Sequence, residues 1–224
     1  HRARTMVANA EPWLGDIARR VATEEPKAED TDDEGDAAWE EKKATDDGAP
    51  WSGAIVRAVL DRCPEGALLH VASSMPIRDL DAFSGAPNRR IHVAANRGAN
   101  GIDGLVATSL GEALVWPGPV VALVGDLALA HDLGGLAAAR QLLDHRRDVS
   151  LTVVVIDNGG GAIFDALPIA RHPTAHEPHF IARQRLDSAR VARGLDVETQ
   201  VVEGSRQAVS DALAKAVETP GLQL

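Results

Sequence analysis

Tyrosine is absent from this 224-residue chain, and aromatic residues make up only 3% of it. Any core must therefore be built from Ala, Val, Leu and Ile, which the 45% hydrophobic content amply supplies. Cysteine occurs once, as Cys63, so no internal disulfide can form and a cytoplasmic protein is the simplest expectation. No apolar run approaches the roughly 20 residues that a helix needs to span a bilayer. The opening HRARTMVANAEPW has no uninterrupted apolar stretch of the kind a signal peptide requires. Basic excess is lacking too: the net charge is −10, which argues against a nucleic-acid binder. Anion chemistry must then rest on a few placed arginines, on backbone amides or on a metal.

The negative charge is concentrated at one end. Residues 1–50 hold 14 acids against 7 Lys/Arg, a balance of −7, which leaves −3 for the other 174 residues. Residues 11–22 suit a short helix, whereas 24–47 are acidic, nearly free of aliphatics and without periodicity, the composition of a solvated linker. An N-terminal arm and acidic linker over 1–50, partly disordered, and one domain over 51–224 are therefore expected. The chain opens on His1 rather than Met, so a fragment or processed form is expected as well.

From residue 51 the pattern becomes that of an α/β protein. WSGAIVRAVLDRC has helical spacing, ALLHVA (67–72) and IHVAA (91–95) read as strands, and DGLVATSLGEALV (103–115) as a helix. PVVALVG (119–125) reads as a buried strand, HDLGGLAAARQLL (131–143) as a helix, and SLTVVVID (150–157) as a strand buried on both sides. A helix around 187–195, a strand VETQVV (197–202) and a helix over 206–217 complete the series. Such alternation predicts a parallel sheet with helices on both faces. Ligands in that architecture bind at the carboxyl ends of the strands.

Two strand ends carry chemistry. Asp126 follows PVVALVG, and Asp157-Asn158 follow LTVVVI, with a run of glycines next. A carboxylate and a carboxamide offered together are hard oxygen ligands suited to Mg²⁺, which takes few protein ligands and leaves the rest to phosphates and water. A glycine carbonyl can add a further ligand, and the start of the 131–143 helix would aim free N–H groups at an anion. Metal plus helix N-terminus makes a diphosphate site. Taken singly, each motif reads equally well as an Asp capping a helix or a turn after an ordinary strand.

GDLALAHDL followed by DNGGGAIFDALP (157–168) resembles the paired signature of thiamin-diphosphate (ThDP) enzymes, although Leu127 stands where glycine is usual. That departure is typical of the menaquinone-pathway synthase family that makes 2-succinyl-5-enolpyruvyl-6-hydroxy-3-cyclohexene-1-carboxylate, whose second element resembles NNNGGxIFxxLP. SSMPIRDLDAF (73–83) and NRGANGIDGLVATSLGEAL (96–114) resemble the same family, over residues 51–183 in all. The dinucleotide GxGxxG fingerprint is not present.

The resemblance implies a diphosphate-binding half of the ThDP fold, with Asp126, Asn158 and the carbonyl of Gly160 holding Mg²⁺, or Mn²⁺ in its place. It implies cofactor contacts from Asn100, Gly101, Ile102, Gly125, Asp126, Leu127, Ala128, Asn158, Gly160 and Ile163. Ile102 would wedge the bent cofactor; from its position alone it is equally an ordinary core residue at a helix entrance. Ser74, Arg78, Arg97, Ile163 and Phe164 would meet the substrates, 2-oxoglutarate and isochorismate, with the arginines clamping carboxylates. An arginine after a strand is, by itself, an ordinary surface ion pair. The implied reaction decarboxylates 2-oxoglutarate and transfers the succinyl-semialdehyde unit to isochorismate. The activating glutamate would lie on a pyrimidine-binding domain of a neighbouring subunit in a homodimer or homotetramer, so no catalytic residue is assigned to this chain, which is expected to be inactive alone. Other readings are a carboligase of the acetohydroxyacid synthase type and a non-catalytic ThDP-like binding module.

Other features read as structural. His172, His176 and His179 lie among Pro173 and Pro178, with no helical pattern to bring them to one metal. His131 reads as an early-helix residue, Cys63 has no partner to activate it, and the four tryptophans are too scattered to stack bases.

Overall fold

The computed structural model describes residues 52–85, 89–96, 98, 101–146, 148–165, 167–202 and 206–224. The arm and linker expected over 1–50, and the helix over 11–22, lie outside the described residues. Helix α1 (Ser52–Arg62) leads to strand β1 (Leu68–Val71), helix α2 (Met75–Phe83) and strand β2 (His92–Ala94). Helix α3 (Leu105–Val115), strand β3 (Val120–Gly125), helices α4 (Asp126–His131) and α5 (Leu133–Leu143), and strand β4 (Ser150–Ile156) follow. After two short 3₁₀ turns come helices α6 (Pro173–Phe180), α7 (Ser188–Gly194) and α8 (Arg206–Glu218), then strand β5 (Gly221–Gln223).

Among the described residues five strands run parallel in the order β2-β1-β3-β4-β5, and the period-2 alternation of their side chains divides the core into two layers. Leu68, Val120, Ala122, Val124, Leu151 and Val153 meet α3, α4, α5 and α7 on one face. Leu69, Val71, Val121 and Leu123 meet α1, α2 and α8 on the other. The expected parallel sheet covered on both sides is thus the architecture found. Among the described residues no helix is long and apolar enough to cross a membrane.

Four local expectations change. The helix expected over 131–143 begins at Leu133, because Asp132, at φ −119° and ψ 37°, leaves the helical region, and His131 closes a separate short helix, α4, for which no helix was expected. Helix α2 lies outside the periodicity expectations; Pro76 sits in its first turn, where a missing N–H costs nothing. A third helix, α6, forms where the prolines argued against one, because Pro173 is at its start and only Pro178 interrupts its short ladder. Finally, 197–202 is not a regular strand. Glu198 makes one isolated parallel bridge to Gln223, and the strand that completes the sheet is Gly221–Gln223 itself. Val201, 55% exposed, has no layer to pack on, so the ladder stops.

Candidate functional site

The sheet order reverses between β1 and β3, since the chain moves outward from β1 to β2 in one direction and from β3 through β4 to β5 in the other. A crevice at the carboxyl ends of strands around such a reversal is where α/β sheets receive ligands. The motifs singled out from the sequence fall there.

Strands β3 and β4 are paired so that Gly125 faces Ile156. The next residues out of the sheet are therefore Asp126 and Asp157, neighbours at adjacent strand ends. Asp126 opens α4 and is only 7% exposed. Its Oδ1 accepts from the Leu127 N–H at 2.8 Å, and its Oδ2 accepts from the Gly160 N–H at 2.8 Å. Burial raises the Asp126 pKa above the usual carboxylate range, the Leu127 and Gly160 amides offset part of this, and the neighbouring Asp157 carboxylate adds to it. Like charges this close call for a cation or a shared proton.

The turn that meets Asp126 is built by glycine. Gly159, Gly160 and Gly161 have φ of +79°, +131° and +83°, conformations that a side chain would strain. At Gly160 there is no room either, as a Cβ would lie 2.8 Å from the backbone of Ala182 and Arg183. The Gly160 carbonyl accepts from the Ala182 N–H at 2.9 Å, so the turn is held between Asp126 and the 182–183 backbone. Leu127 packs on Gly161 so closely that a Cβ there would come within 2.6 Å of its Cδ1. The residue that breaks the generic ThDP pattern thus covers the turn.

Of the three residues expected to bind metal, Asn158 and Gly160 stand in one turn and Asp126 stands against it at the start of α4, but not in the manner anticipated. Gly160 meets Asp126 through its N–H, while its carbonyl is engaged by Ala182. The Asn158 side-chain oxygen accepts from the Gly161 N–H at 2.9 Å, and Asn158 is exposed. Asp157, which the sequence motif treats as a mere substitution, is the residue placed beside Asp126. A small cleft of about 40 Å³ is lined by Asp126, Asp157, Gly159, Gln184, Leu186 and Ser188, with Ala130 completing it. Residues 184–188 carry no motif, and nothing in their sequence points to this position. An all-oxygen donor set with excess negative charge fits a hard divalent cation.

The expected anion-binding helix start needs correction. The N-terminus of α5 is closed by its own N-cap: Asp132 accepts from the Gly135 N–H at 3.2 Å and from the Ala107 N–H at 2.9 Å. A buried carboxylate already occupies those donors. The helix whose start faces the crevice is α4, beginning at Asp126.

At the end of β1, Ser74 precedes α2 without capping it through its side chain, and its carbonyl accepts from Arg78 Nη1 at 2.8 Å. Arg78 is exposed. Ser73 Oγ donates to the Asn96 carbonyl at 2.7 Å, tying the ends of β1 and β2 together. Asn96 Nδ2 donates to Thr108 Oγ1, which donates to the Gly104 carbonyl, and so anchors the following loop on α3. Arg97 and Asn100 lie outside the described residues. Gly101 is exposed, Ile102 packs half-buried against the core below α3, and Ala128 is buried in α4. Ile163 is half-buried, and Phe164, 40% exposed, stands edge-on to Phe180 at 5.5 Å. His176 is buried against Phe180, with Nε2 3.4 Å from Asp165, while His172 and His179 are exposed.

Residues 83–224 match the family model described as "Thiamine pyrophosphate enzyme, C-terminal TPP binding domain". Curated relatives carry the name 2-succinyl-5-enolpyruvyl-6-hydroxy-3-cyclohexene-1-carboxylate synthase. The one from Haloarcula marismortui is 35% identical over 220 residues, covering 98% of this chain and 35% of that protein. That from Bacillus velezensis is 39% identical over 81% of this chain and 30% of its own length. That from Myxococcus xanthus is 52% identical over 52% of this chain and 19% of its own. This chain thus spans about a third of the relatives' length, or less. A crystal structure from Mycobacterium smegmatis, titled as that of a thiamin diphosphate-dependent enzyme, shares the fold with a TM-score of 0.54 at 20% identity, over 77% of this chain and 30% of that one.

Proposed function

Because this chain belongs to the family of thiamine pyrophosphate enzyme C-terminal TPP-binding domains, we propose that it holds the diphosphate end of ThDP in an enzyme that decarboxylates 2-oxoglutarate and transfers the four-carbon unit to isochorismate. The single observation behind this is the pairing of Gly125 with Ile156, which delivers Asp126 against the Asp157–Gly161 turn at the sheet reversal. The curated relatives are named for making 2-succinyl-5-enolpyruvyl-6-hydroxy-3-cyclohexene-1-carboxylate, which supports this reading, and the choice of 2-oxoglutarate and isochorismate follows from the motif resemblance.

In this reading Asp126, Asn158 and the Gly160 carbonyl would hold a Mg²⁺ ion for the diphosphate, Asn158 and Gly160 through the lone pairs that the Gly161 and Ala182 N–H groups leave free. When bound, ThDP supplies the electron sink for loss of carbon dioxide from a 2-oxo acid. The chain's own part is to bind and orient. Gly160 gives its N–H to Asp126 and keeps the ligand-bearing turn in place. Ile102, at the entrance to α3, offers an apolar surface to the cofactor. Arg78, with Ser74 beside it, and Arg97 neutralise and align substrate carboxylates, and a planar guanidinium suits that task better than an ammonium. Ile163 and Phe164 form an apolar wall that keeps water from the reacting chain. Orientation of this kind converts binding energy into reacting geometry.

Catalysis is completed by a pyrimidine-binding domain that supplies the activating carboxylate, so the 224-residue chain alone turns over nothing. Calorimetry with ThDP and Mg²⁺, on the chain with a pyrimidine-binding half added, tests cofactor retention. Turnover of 2-oxoglutarate, and not pyruvate, in the presence of isochorismate tests the substrates. Preference for pyruvate would replace this reading with that of another carboligase.

A further inference from the structure

The charge balance of the cleft beside Asp126 does not close. Of the residues lining it, Asp126 and Asp157 are anionic, and none is Lys, Arg or His. Register makes this arrangement structural: Gly125 is paired with Ile156, so the two acids leave adjacent strands at the same level, about 5 Å apart in a parallel sheet. The Asp126 oxygens each take a backbone N–H, and Asp157 Oδ1 takes the Gly159 N–H at 3.0 Å. Those amides orient the carboxylates without neutralising them. We propose that Asp157 is a second anionic contact for the divalent cation in this site, which makes the hold on a diphosphate more dependent on the cation than Asp126 alone would.

This rests on the reading of Asp126 and its turn as a cation-diphosphate site. The added negative charge attracts a dication and, when no cation is present, repels the diphosphate. Both effects act in the same direction on their mutual dependence. Cation and diphosphate should therefore bind as a pair, each weak without the other.

The test is titration of Mn²⁺, followed by the electron paramagnetic resonance of the free ion, into the wild-type chain and its Asp157→Asn, Asp157→Glu and Asp126→Asn variants, each with the pyrimidine-binding half added, with and without ThDP. Circular dichroism checks that each is folded. Asparagine keeps an oxygen for the Gly159 N–H and removes only the charge. Asp157→Asn is expected to weaken Mn²⁺ binding about tenfold or more, and to narrow the difference in ThDP affinity with and without Mn²⁺. Asp157→Glu, which restores the charge, should recover most of both, as a purely turn-forming role would not. Unchanged Mn²⁺ binding in Asp157→Asn, alongside its loss in Asp126→Asn, overturns the role of Asp157 and leaves the cation site standing. Failure of the wild type to bind Mn²⁺, or indifference to Asp126→Asn, overturns the site itself.

Discussion

Asp126 does two jobs that a mutation would separate. Its Oδ2 is the acceptor for the buried Gly160 N–H, so Asp126→Ala leaves that donor unsatisfied at a cost of about 1–3 kcal/mol. Asp126→Asn keeps one of the two acceptor oxygens and sets its amide NH2 against the other backbone N–H, so it should lose less stability than Asp126→Ala without matching wild type. Both variants should lose ThDP retention in Mg²⁺; urea melts separate the stability effect from the calorimetric one. Gly160→Ala is expected to cost more than an ordinary glycine substitution, because its φ of +131° and the backbone of residues 182–183 both oppose a Cβ. A loss of about 1–3 kcal/mol in urea denaturation is expected. Asp79 makes a prediction in pH. Burial raises its pKa from the ordinary 3.8, with partial relief from a hydrogen bond to Ser52, and its Oδ2 has no partner. A folded-state pKa above the unfolded one means its contribution is full below about pH 3.8 and is lost as pH rises through the folded value. Stability of wild type relative to Asp79→Asn should therefore fall over that range, and urea melts from pH 3.5 to 7 would show no such slope if Asp79 were solvated.

The helices show where periodicity informs and where it misleads. Helix α3 and strands β3 and β4 were legible because their apolar residues repeat at helical or strand spacing and each buries a full face. The boundary between α4 and α5 was not, since the helical pattern of HDLGGLAAARQLL carries His131 and Asp132 along with it until the Asp132 carboxylate is seen to accept from Gly135 and Ala107. That interaction joins α5 to α3 as well as capping it. Asp132→Ala should destabilise the domain by about 1–2 kcal/mol, measured by thermal or urea melts, and Asp132→Asn, which retains an acceptor, by less. The site was legible in a similar, partial way. Asp126, Asn158 and the glycines stood out because few sequences place them at consecutive strand ends. Asp157 did not, because its proximity to Asp126 follows from strand register, which the linear motif does not display. Gln184 and Ser188 reach the cleft only through the tertiary path of the chain after α6. The fifth strand was misplaced because three residues after Pro220 offer too short a pattern, whereas VETQVV has strong strand composition but buries Val197 and leaves Glu198, Gln200 and Val201 exposed, with one isolated bridge to the sheet.

For the molecule as a whole, the sheet reversal puts Ser74, Asp126 and the Asp157–Gly161 turn, among the described residues, at the carboxyl ends of β1, β3 and β4, on one edge of the sheet. A ligand held only by the described residues would keep much of its surface in water, which is why the substrate reading requires a second domain over that edge. Mixing this chain with a separately produced pyrimidine-binding half should yield 2-oxoglutarate-dependent turnover that neither part shows alone. Activity of the isolated chain, measured after chromatographic exclusion of larger species, would refute that dependence. A different consequence follows from Cys63, which lies at the end of α1 with no exposed surface and whose thiol is pushed up to about 12 by burial, despite the opposing pull of Arg89. So protonated and shielded a sulfur is inert to alkylating reagents while α1 stays packed. Its labelling rate is then a clock for the opening of that layer, readable by mass spectrometry in a crude mixture and without any engineered probe.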